Sequence, residues 1–80
     1  MSRIRHRFEQ MLEPAGIRLD GPDPWDIQVL NPDLFMRIAR EGTLGLGEAY
    51  MDGWWDCEAL DQMITRGFRA GLEDKVRNNL

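Results

Sequence analysis

The sequence predicts a small α+β domain, mostly helical, with about four helices and a minor two- or three-stranded sheet. Apolar residues recur at three- and four-residue spacings in four stretches, which is the pattern of amphipathic helices. Between the first two stretches, residues 17–19 and 25–29 alternate apolar and polar side chains, as short strands do. A chain of 80 residues is long enough for one domain with a thin core, so we expect residues 1–80 to form a single domain.

The charge balance argues against a nucleic-acid partner. Ten Lys and Arg residues face fourteen Asp and Glu residues, for a net charge of -4, whereas phosphate-backbone binding needs a basic face. The one cysteine excludes an internal disulfide and, with one distant histidine, an ordinary zinc site. No apolar run approaches the length of a membrane span, so any membrane contact is expected to be peripheral.

The first helix is predicted over residues 2–13, before Pro14 and Gly16 end it. An apolar stripe comprises Ile4, Phe8, Met11 and Leu12, while the other faces carry Arg3, Arg5, His6 and Arg7. Such a basic amphipathic helix can lie against anionic lipid headgroups. The alternative is a surface helix that packs its stripe on the domain, and the acidic side chains of Glu9 and Glu13 favour it.

The alternating segments 17–19 and 25–29 are predicted to be two short strands joined by the proline-containing loop 20–24. Trp25, Ile27 and Val29 would share one face. A sheet this small needs a helix packed against it to be stable.

The second helix has the clearest start signal. Asn31 can cap it, Pro32 suits the first helical position, and Asp33 faces the positive end of the helix dipole. The predicted buried face comprises Leu34, Phe35, Ile38 and Ala39, and the predicted outer face comprises Arg37, Arg40 and Glu41. Gly42 is the stop signal.

Residues 42–56 hold five of the eight glycines, the one tyrosine and two of the three tryptophans. They are predicted to form a short helix with Leu46, Ala49 and Tyr50 on one apolar face, ended by Gly53. Glycine weakens a helix, so Gly45 and Gly47 are expected to serve close packing, and Trp54 and Trp55 supply the rings. We therefore expect this stretch to be the packing centre.

A last helix is predicted after Asp56, which would cap it, with Glu58 in its first turn. Its apolar stripe comprises Leu60, Met63, Ile64, Phe68, Gly71 and Leu72. The tail, residues 73–80, is polar and weakly periodic, and we expect it to fray or to continue the helix only in part.

Four residues of the central stretch are the candidates for contact with something outside the domain: Tyr50, Met51, Trp54 and Trp55. Large amphipathic aromatics are enriched at protein interfaces and membrane surfaces, although core packing alone is the default explanation for these residues. No catalytic, cofactor-binding or metal-binding residue is predicted. Cys57 is expected to be a buried filler, because the sequence places no base near it.

These residues also carry a family resemblance. The block Gly45-Leu46-Gly47-Glu48-Ala49-Tyr50-Met51-Asp52-Gly53-Trp54-Trp55, preceded by Asn31-Pro32-Asp33 and followed by Arg69-Ala70-Gly71-Leu72-Glu73, resembles the N-terminal domain of cyclopropane-fatty-acyl-phospholipid synthases. The likeness runs over residues 15–73. It implies a non-catalytic domain of an enzyme whose C-terminal methyltransferase domain, expected to lie outside this chain, uses S-adenosylmethionine to methylenate unsaturated phospholipid acyl chains.

The resemblance implies an accessory role. The expected partners are the catalytic domain of the same enzyme and a phospholipid membrane surface, with a homodimer as a further possibility, at the cytoplasmic, inner face of the membrane. The alternative is a protein docking or dimerisation module with no lipid contact. Relatives that methylate lipid double bonds without closing a ring share the block, so the product stays open.

Overall fold

The computed structural model describes residues 3–72 and residue 74. Within the described residues, four α-helices and two very short strands confirm the predicted α+β class. The elements are α1 (Arg3–Leu12), a 3-10 helix (Glu13–Ala15), β1 (Gln28–Val29), α2 (Leu34–Glu41), α3 (Thr43–Met51), β2 (Trp55–Asp56) and α4 (Leu60–Arg69).

The core lies where α1 and α2 face each other and where the loop segments cross beneath them. The predicted stripe of α1 is confirmed, with Phe8, Met11 and Leu12 buried. In α2 the buried residues are Leu34, Phe35 and Ile38. The rings of Phe8 and Phe35 stand 5.6 Å apart between centroids, a tilted aromatic pair that joins the two helices.

The prediction of two short strands in the alternating segments is confirmed only in part. Leu19 and Ile27 form only an isolated parallel bridge. The regular pairing is antiparallel between β1 and β2, with Val29 opposite Trp55. Asp56 is therefore a strand residue and not the predicted helix cap, and its carboxylate accepts the N–H of Cys57 at 2.8 Å. Local alternation indicates an extended segment, but tertiary contacts choose its partner.

Asp26 explains why the two alternating segments do not form a hairpin. Its side chain is only 1% exposed. One carboxylate oxygen accepts the backbone N–H of Arg18 at 2.7 Å, and the other accepts that of Asp23 at 2.8 Å. The chain thus loops around a buried carboxylate instead of reversing as a hairpin. The predicted shared face is correct in part, because Ile27 is buried while Trp25 is half-buried.

The start of α2 follows the predicted chemistry. The Asn31 side-chain oxygen accepts the N–H of Asp33 at 2.9 Å, and the regular helix begins one residue later. Gly42 ends it with a backbone φ of +66°, a conformation that favours glycine, and donates its N–H to the Ile38 carbonyl at 2.7 Å. Helix α3 begins directly after Gly42, so α2 and α3 form a tight helical hairpin.

The two glycines of α3 differ. A Cβ on Gly45 would lie 2.8 Å from the Glu41 Cβ and 2.9 Å from the Arg37 carbonyl oxygen, so close packing is confirmed there, against α2. A Cβ on Gly47 would meet nothing within 4 Å, so the same expectation is wrong for Gly47. The helix ends in a Schellman turn in which Gly53 has a φ of +78° and Trp54 donates its N–H to the Ala49 carbonyl.

The expectation that the central stretch is the packing centre is confirmed only in part. Of its residues only Gly45, Ala49 and Trp55 are buried, and most buried apolar side chains come from α1, α2 and the loop segments. The stretch forms one wall of the core, because its helix presents a single side to α2.

Helix α4 buries less than predicted. Met63 and Gly67 are buried, but Ile64 is 44% exposed and Phe68 is 67% exposed, so the predicted burial of these two is wrong. The helix meets the domain along a narrow line, which leaves the edge of its apolar stripe uncovered. Apart from Asp74, the predicted tail lies outside the described residues.

Replacing Asp26 with Asn is expected to destabilise the fold. The amide keeps one acceptor oxygen but turns its NH2 group toward a buried backbone donor, which should lower the free energy of unfolding by about 2 kcal/mol. Urea unfolding measures it, with Glu58→Gln at an exposed position as the control. An equal loss in both variants would contradict the role given to Asp26.

Alanine at the two glycines of α3 should have opposite effects. Gly45→Ala is expected to lower the free energy of unfolding by about 2 kcal/mol through overpacking against α2. Gly47→Ala meets open space and should raise it by about 1 kcal/mol through helix propensity. Thermal and urea unfolding of the pair check this; stabilisation by Gly45→Ala would show that the helices are not in close contact there.

Candidate functional site

The half-buried Arg37 organises the outer side of the α2–α3 hairpin, although the sequence placed it outside. Its guanidinium lies 4.7 Å from the centroid of the Trp54 ring. It donates to the Asp52 carboxylate at 2.8 Å and to Glu48 at 3.4 Å, and Glu41 lies 3.9 Å away. The Asp52 hydrogen bond, with the neighbouring negative charges, raises the pKa of Arg37. Asp52 and Trp54 therefore make their contacts with Arg37 within the domain.

Trp55 is also held inside the domain. It is 3% exposed, and its indole N–H donates to the Leu46 carbonyl at 2.9 Å. The Tyr50 ring packs on it, with centroids 4.9 Å apart. Trp55 thus fixes the strand β2 to the end of α3.

The other two central candidates reach the surface. Met51 is 85% exposed and Tyr50 is 36% exposed, so they are the members of the predicted contact set that face solvent. The structure brings Tyr50, Trp54 and Trp55 to one end of α3, around the Gly53 turn. Their contact with an outside partner stays a prediction.

The basic residues of α1 do not form one surface. Arg3 and Arg7 are exposed, as is His6, whereas Arg5 is half-buried. The Arg5 guanidinium donates to the Asp20 carboxylate at 3.0 Å and lies 5.6 Å from the Phe35 ring centroid.

Opposing effects act on the pKa of Asp20, the partner of Arg5. Burial would raise its pKa, but the Val29 backbone N–H and the Arg5 guanidinium both favour the charged form, so the pKa of Asp20 is lowered. The Arg5–Asp20 pair therefore anchors α1 to the loop before β1. Arg5 makes its contacts within the domain, so lipid contact by α1 would depend on Arg3 and Arg7.

Trp25 joins the N-terminal segments to α4, a contact that the sequence analysis missed. Its indole N–H donates to the Gly16 carbonyl at 2.9 Å, and the Arg66 guanidinium stacks 3.8 Å from its ring centroid. A Cβ on Gly16 would lie 3.1 Å from the Arg66 side chain. No local spacing links positions 25 and 66, so sequence patterns could not have found this pair.

Cys57 is buried as predicted, at 5% exposure. Burial raises the pKa of its thiol, and the nearby carboxylates of Asp56 and Asp26 add to the effect. Its sulfur lies 3.5 Å from the Pro24 carbonyl oxygen. A buried thiol with a raised pKa is a poor nucleophile.

An open apolar groove of about 300 Å³ runs between α3 and α4. Its lining residues are Thr43, Leu46, Met63, Ile64, Gly67, Phe68 and Leu72. None of them is charged. Helical spacing predicted Ile64 and Phe68 on a buried face, and it could not show that these two side chains are exposed.

Residues 3–72 and 74 contain neither a side-chain cluster suited to a metal ion nor a helix suited to cross a membrane. Within that part of the chain, no three His, Cys, Asp or Glu side chains come together in a way that could hold a metal ion. No helix there has the length and apolar character needed to cross a bilayer.

Two curated proteins are similar in sequence to this chain. Cyclopropane-fatty-acyl-phospholipid synthase of Escherichia coli strain K12 is 52% identical to this chain over 67 residues. The protein of the same name from Escherichia coli O6:H1 strain CFT073 gives the same identity over the same length. Over this region the chain is similar in sequence to cyclopropane-fatty-acyl-phospholipid synthases. The resemblance drawn from the glycine and tryptophan block is thereby confirmed.

The match covers a much larger share of this chain than of the synthases. It covers 84% of this chain but only 18% of each synthase, so the chain spans about a fifth of the length of the curated relatives it matches. No protein-family model matches the chain.

Replacing Arg37 with Met is expected to lower the urea midpoint. The variant removes the guanidinium that lies over the Trp54 ring and leaves Glu41, Glu48 and Asp52 without their shared cation. Because the remaining repulsion is between exposed charges, added NaCl should recover part of the loss. Arg40→Met, at an exposed position of the same helix, is the control. No difference between the two variants would contradict the organising role of Arg37.

Proposed function

We propose that this chain is the N-terminal accessory domain of a lipid-modifying synthase. In this proposal it is itself non-catalytic and helps a separate S-adenosylmethionine-dependent catalytic domain to act on unsaturated phospholipid acyl chains at the inner, cytoplasmic face of the membrane. The observation that carries the proposal is the 52% identity over 67 residues to cyclopropane-fatty-acyl-phospholipid synthases. The larger, unmatched part of those proteins leaves room for a catalytic domain.

The chemistry of the described residues supports an accessory role. The buried carboxylate of Asp26 accepts two backbone hydrogen bonds and so holds a loop. The carboxylate of Asp52 is paired with Arg37, and the thiol of Cys57 is buried with a raised pKa. These three potentially reactive side chains are thus buried or paired within the fold.

A chimeric enzyme tests the proposal. The matched region of the Escherichia coli K12 synthase is replaced with this chain, and transfer of a labelled methyl group from S-adenosylmethionine to phospholipid is measured. We expect the chimera to be active, a deletion of the region to lose most activity, and the 80-residue chain alone to give no product. An inactive but folded chimera would overturn the proposed function.

Vesicle co-sedimentation of the 80-residue chain tests direct membrane contact. If α1 touches lipid, binding should favour anionic over neutral vesicles, with each arginine contributing about 1 kcal/mol. The double variant Arg3→Gln, Arg7→Gln should then lose binding, while Arg18→Gln, Arg40→Gln, which removes the same charge from other exposed positions, should retain it.

A second candidate is a docking or dimerisation module without lipid contact. It is favoured by the uncharged groove between α3 and α4 and by the pairing of Arg5 with Asp20, which reduces the basic surface of α1. Absence of binding to both vesicle types, together with an active chimera, would select this candidate over membrane placement.

A further inference from the structure

Helix α4 and the turn after α1 enclose an open groove of about 450 Å³. Pro14 and Ala15 form one wall, and a polar face of α4 forms the other. Gln62, Arg66 and Arg69 follow one another at spacings of four and three residues, so they lie on the same side of the helix. This stripe of α4 carries two guanidinium groups and an amide, and no carboxylate.

Arg66 is held in one orientation within this groove. Its guanidinium lies 3.8 Å from the centroid of the Trp25 ring. The indole N–H of Trp25 donates to the Gly16 carbonyl at 2.9 Å, which fixes the orientation of the ring. Gly16 also approaches the guanidinium, since a Cβ at this position would lie 3.1 Å from Arg66 Nη1. An arginine that is already ordered loses less conformational entropy when it binds a ligand.

Arg66 and Arg69 also differ from the arginines that hold the fold together. Within residues 3–72 and 74, the ion pairs are made by Arg5 and Arg37. No carboxylate of those residues lies within 4.0 Å of a guanidinium nitrogen of Arg66 or Arg69. The half-buried Arg66 and the exposed Arg69 therefore have charged donors that no described carboxylate occupies.

We propose that this groove, named here the Arg66 groove and made of Pro14, Ala15, Gln62, Arg66 and Arg69, binds a phosphate group. Guanidinium groups match phosphate oxygens with paired hydrogen bonds, and a tetrahedral phosphate offers more acceptor oxygens than a carboxylate. Two guanidiniums and an amide on one stripe can therefore contact separate oxygens of the same group. The inference goes beyond the proposed function and does not depend on it.

Other groups around the groove set the position of the phosphate. The Thr65 hydroxyl donates to the Asp61 carbonyl at 2.9 Å, so it adds no donor. The Asp61 carboxylate would repel an anion at its own end of the groove, so the phosphate is expected beside Arg66 and Arg69. Those two residues lie in the last turn of α4. Their two full positive charges outweigh the negative partial charge of the helix carboxyl end.

An NMR titration of the 80-residue chain tests the inference. Inorganic phosphate is added at constant ionic strength, with sodium chloride as the reference, and the side-chain N–H signals of Arg66 and Trp25 are followed. Both signals should shift and saturate with phosphate and should not respond to chloride, because the Trp25 ring touches the Arg66 guanidinium.

Two variants locate the binding site. Arg69→Gln should weaken phosphate binding about tenfold, because it removes a charged hydrogen-bond donor. Its side chain is exposed, so the urea midpoint of the chain should stay unchanged. Arg40→Gln removes the same charge from an exposed position on α2, and this variant should bind phosphate as tightly as the parent chain.

Vesicles of equal parts phosphatidylglycerol and phosphatidylcholine distinguish the two sources of phosphate. Vesicle binding that weakens about tenfold in Arg69→Gln would assign the groove to a phospholipid headgroup. Binding of inorganic phosphate, with vesicles that do not bind or that bind Arg69→Gln equally well, would assign it to a soluble phosphate ester.

The inference would be overturned if the Arg66 and Trp25 signals responded to neither phosphate nor vesicles. An equal loss of phosphate binding in Arg69→Gln and Arg40→Gln would also overturn it, because the effect would then be one of net charge alone. Methyl transfer by the chimeric enzyme tests the proposed function separately, so failure of one leaves the other intact.

Discussion

The close approach of α3 to α2 at Gly45 is the constraint on which the remaining structure depends. With no Cβ at this position, α3 lies against the Arg37 carbonyl and the Glu41 side chain, directly after the Gly42 turn. This hairpin carries Asp52 and Trp54 onto the Arg37 guanidinium. A larger residue at position 45 would push the helices apart and disturb each of these contacts.

The turn at Gly53 connects the α2–α3 hairpin to the rest of the fold. It reverses the chain after α3, so that Trp55 enters the core and pairs with Val29 of β1. The carbonyl of Trp54 also accepts the N–H groups of Leu30 and Asn31, which places the start of α2. One glycine turn therefore links α3, the small sheet and α2 in a domain with a thin core.

Sequence patterns predicted the parts of this domain that are set by local chemistry. The stripe of α1, the Asn31 cap and the stops at Gly42 and Gly53 all depend on residues close in sequence. The missed features join distant positions.

The buried carboxylate of Asp26 and the stacking of Arg66 on Trp25 are tertiary contacts without a local signature. The pairing of β1 with β2 was missed for the same reason. The exposure of Phe68 was missed because helical spacing shows which residues share a face and not whether anything covers that face.

The central proposal is that this chain is a non-catalytic domain of a lipid-modifying synthase and supports that enzyme through an exposed apolar surface. The most direct measurement is methyl transfer to phospholipid by the chimeric enzyme carrying Phe68→Glu, compared with Leu30→Glu. We expect Phe68→Glu to reduce transfer strongly while the urea midpoint of the 80-residue chain stays unchanged, because that side chain is exposed in the isolated domain. Full transfer activity with Phe68→Glu would contradict the claim.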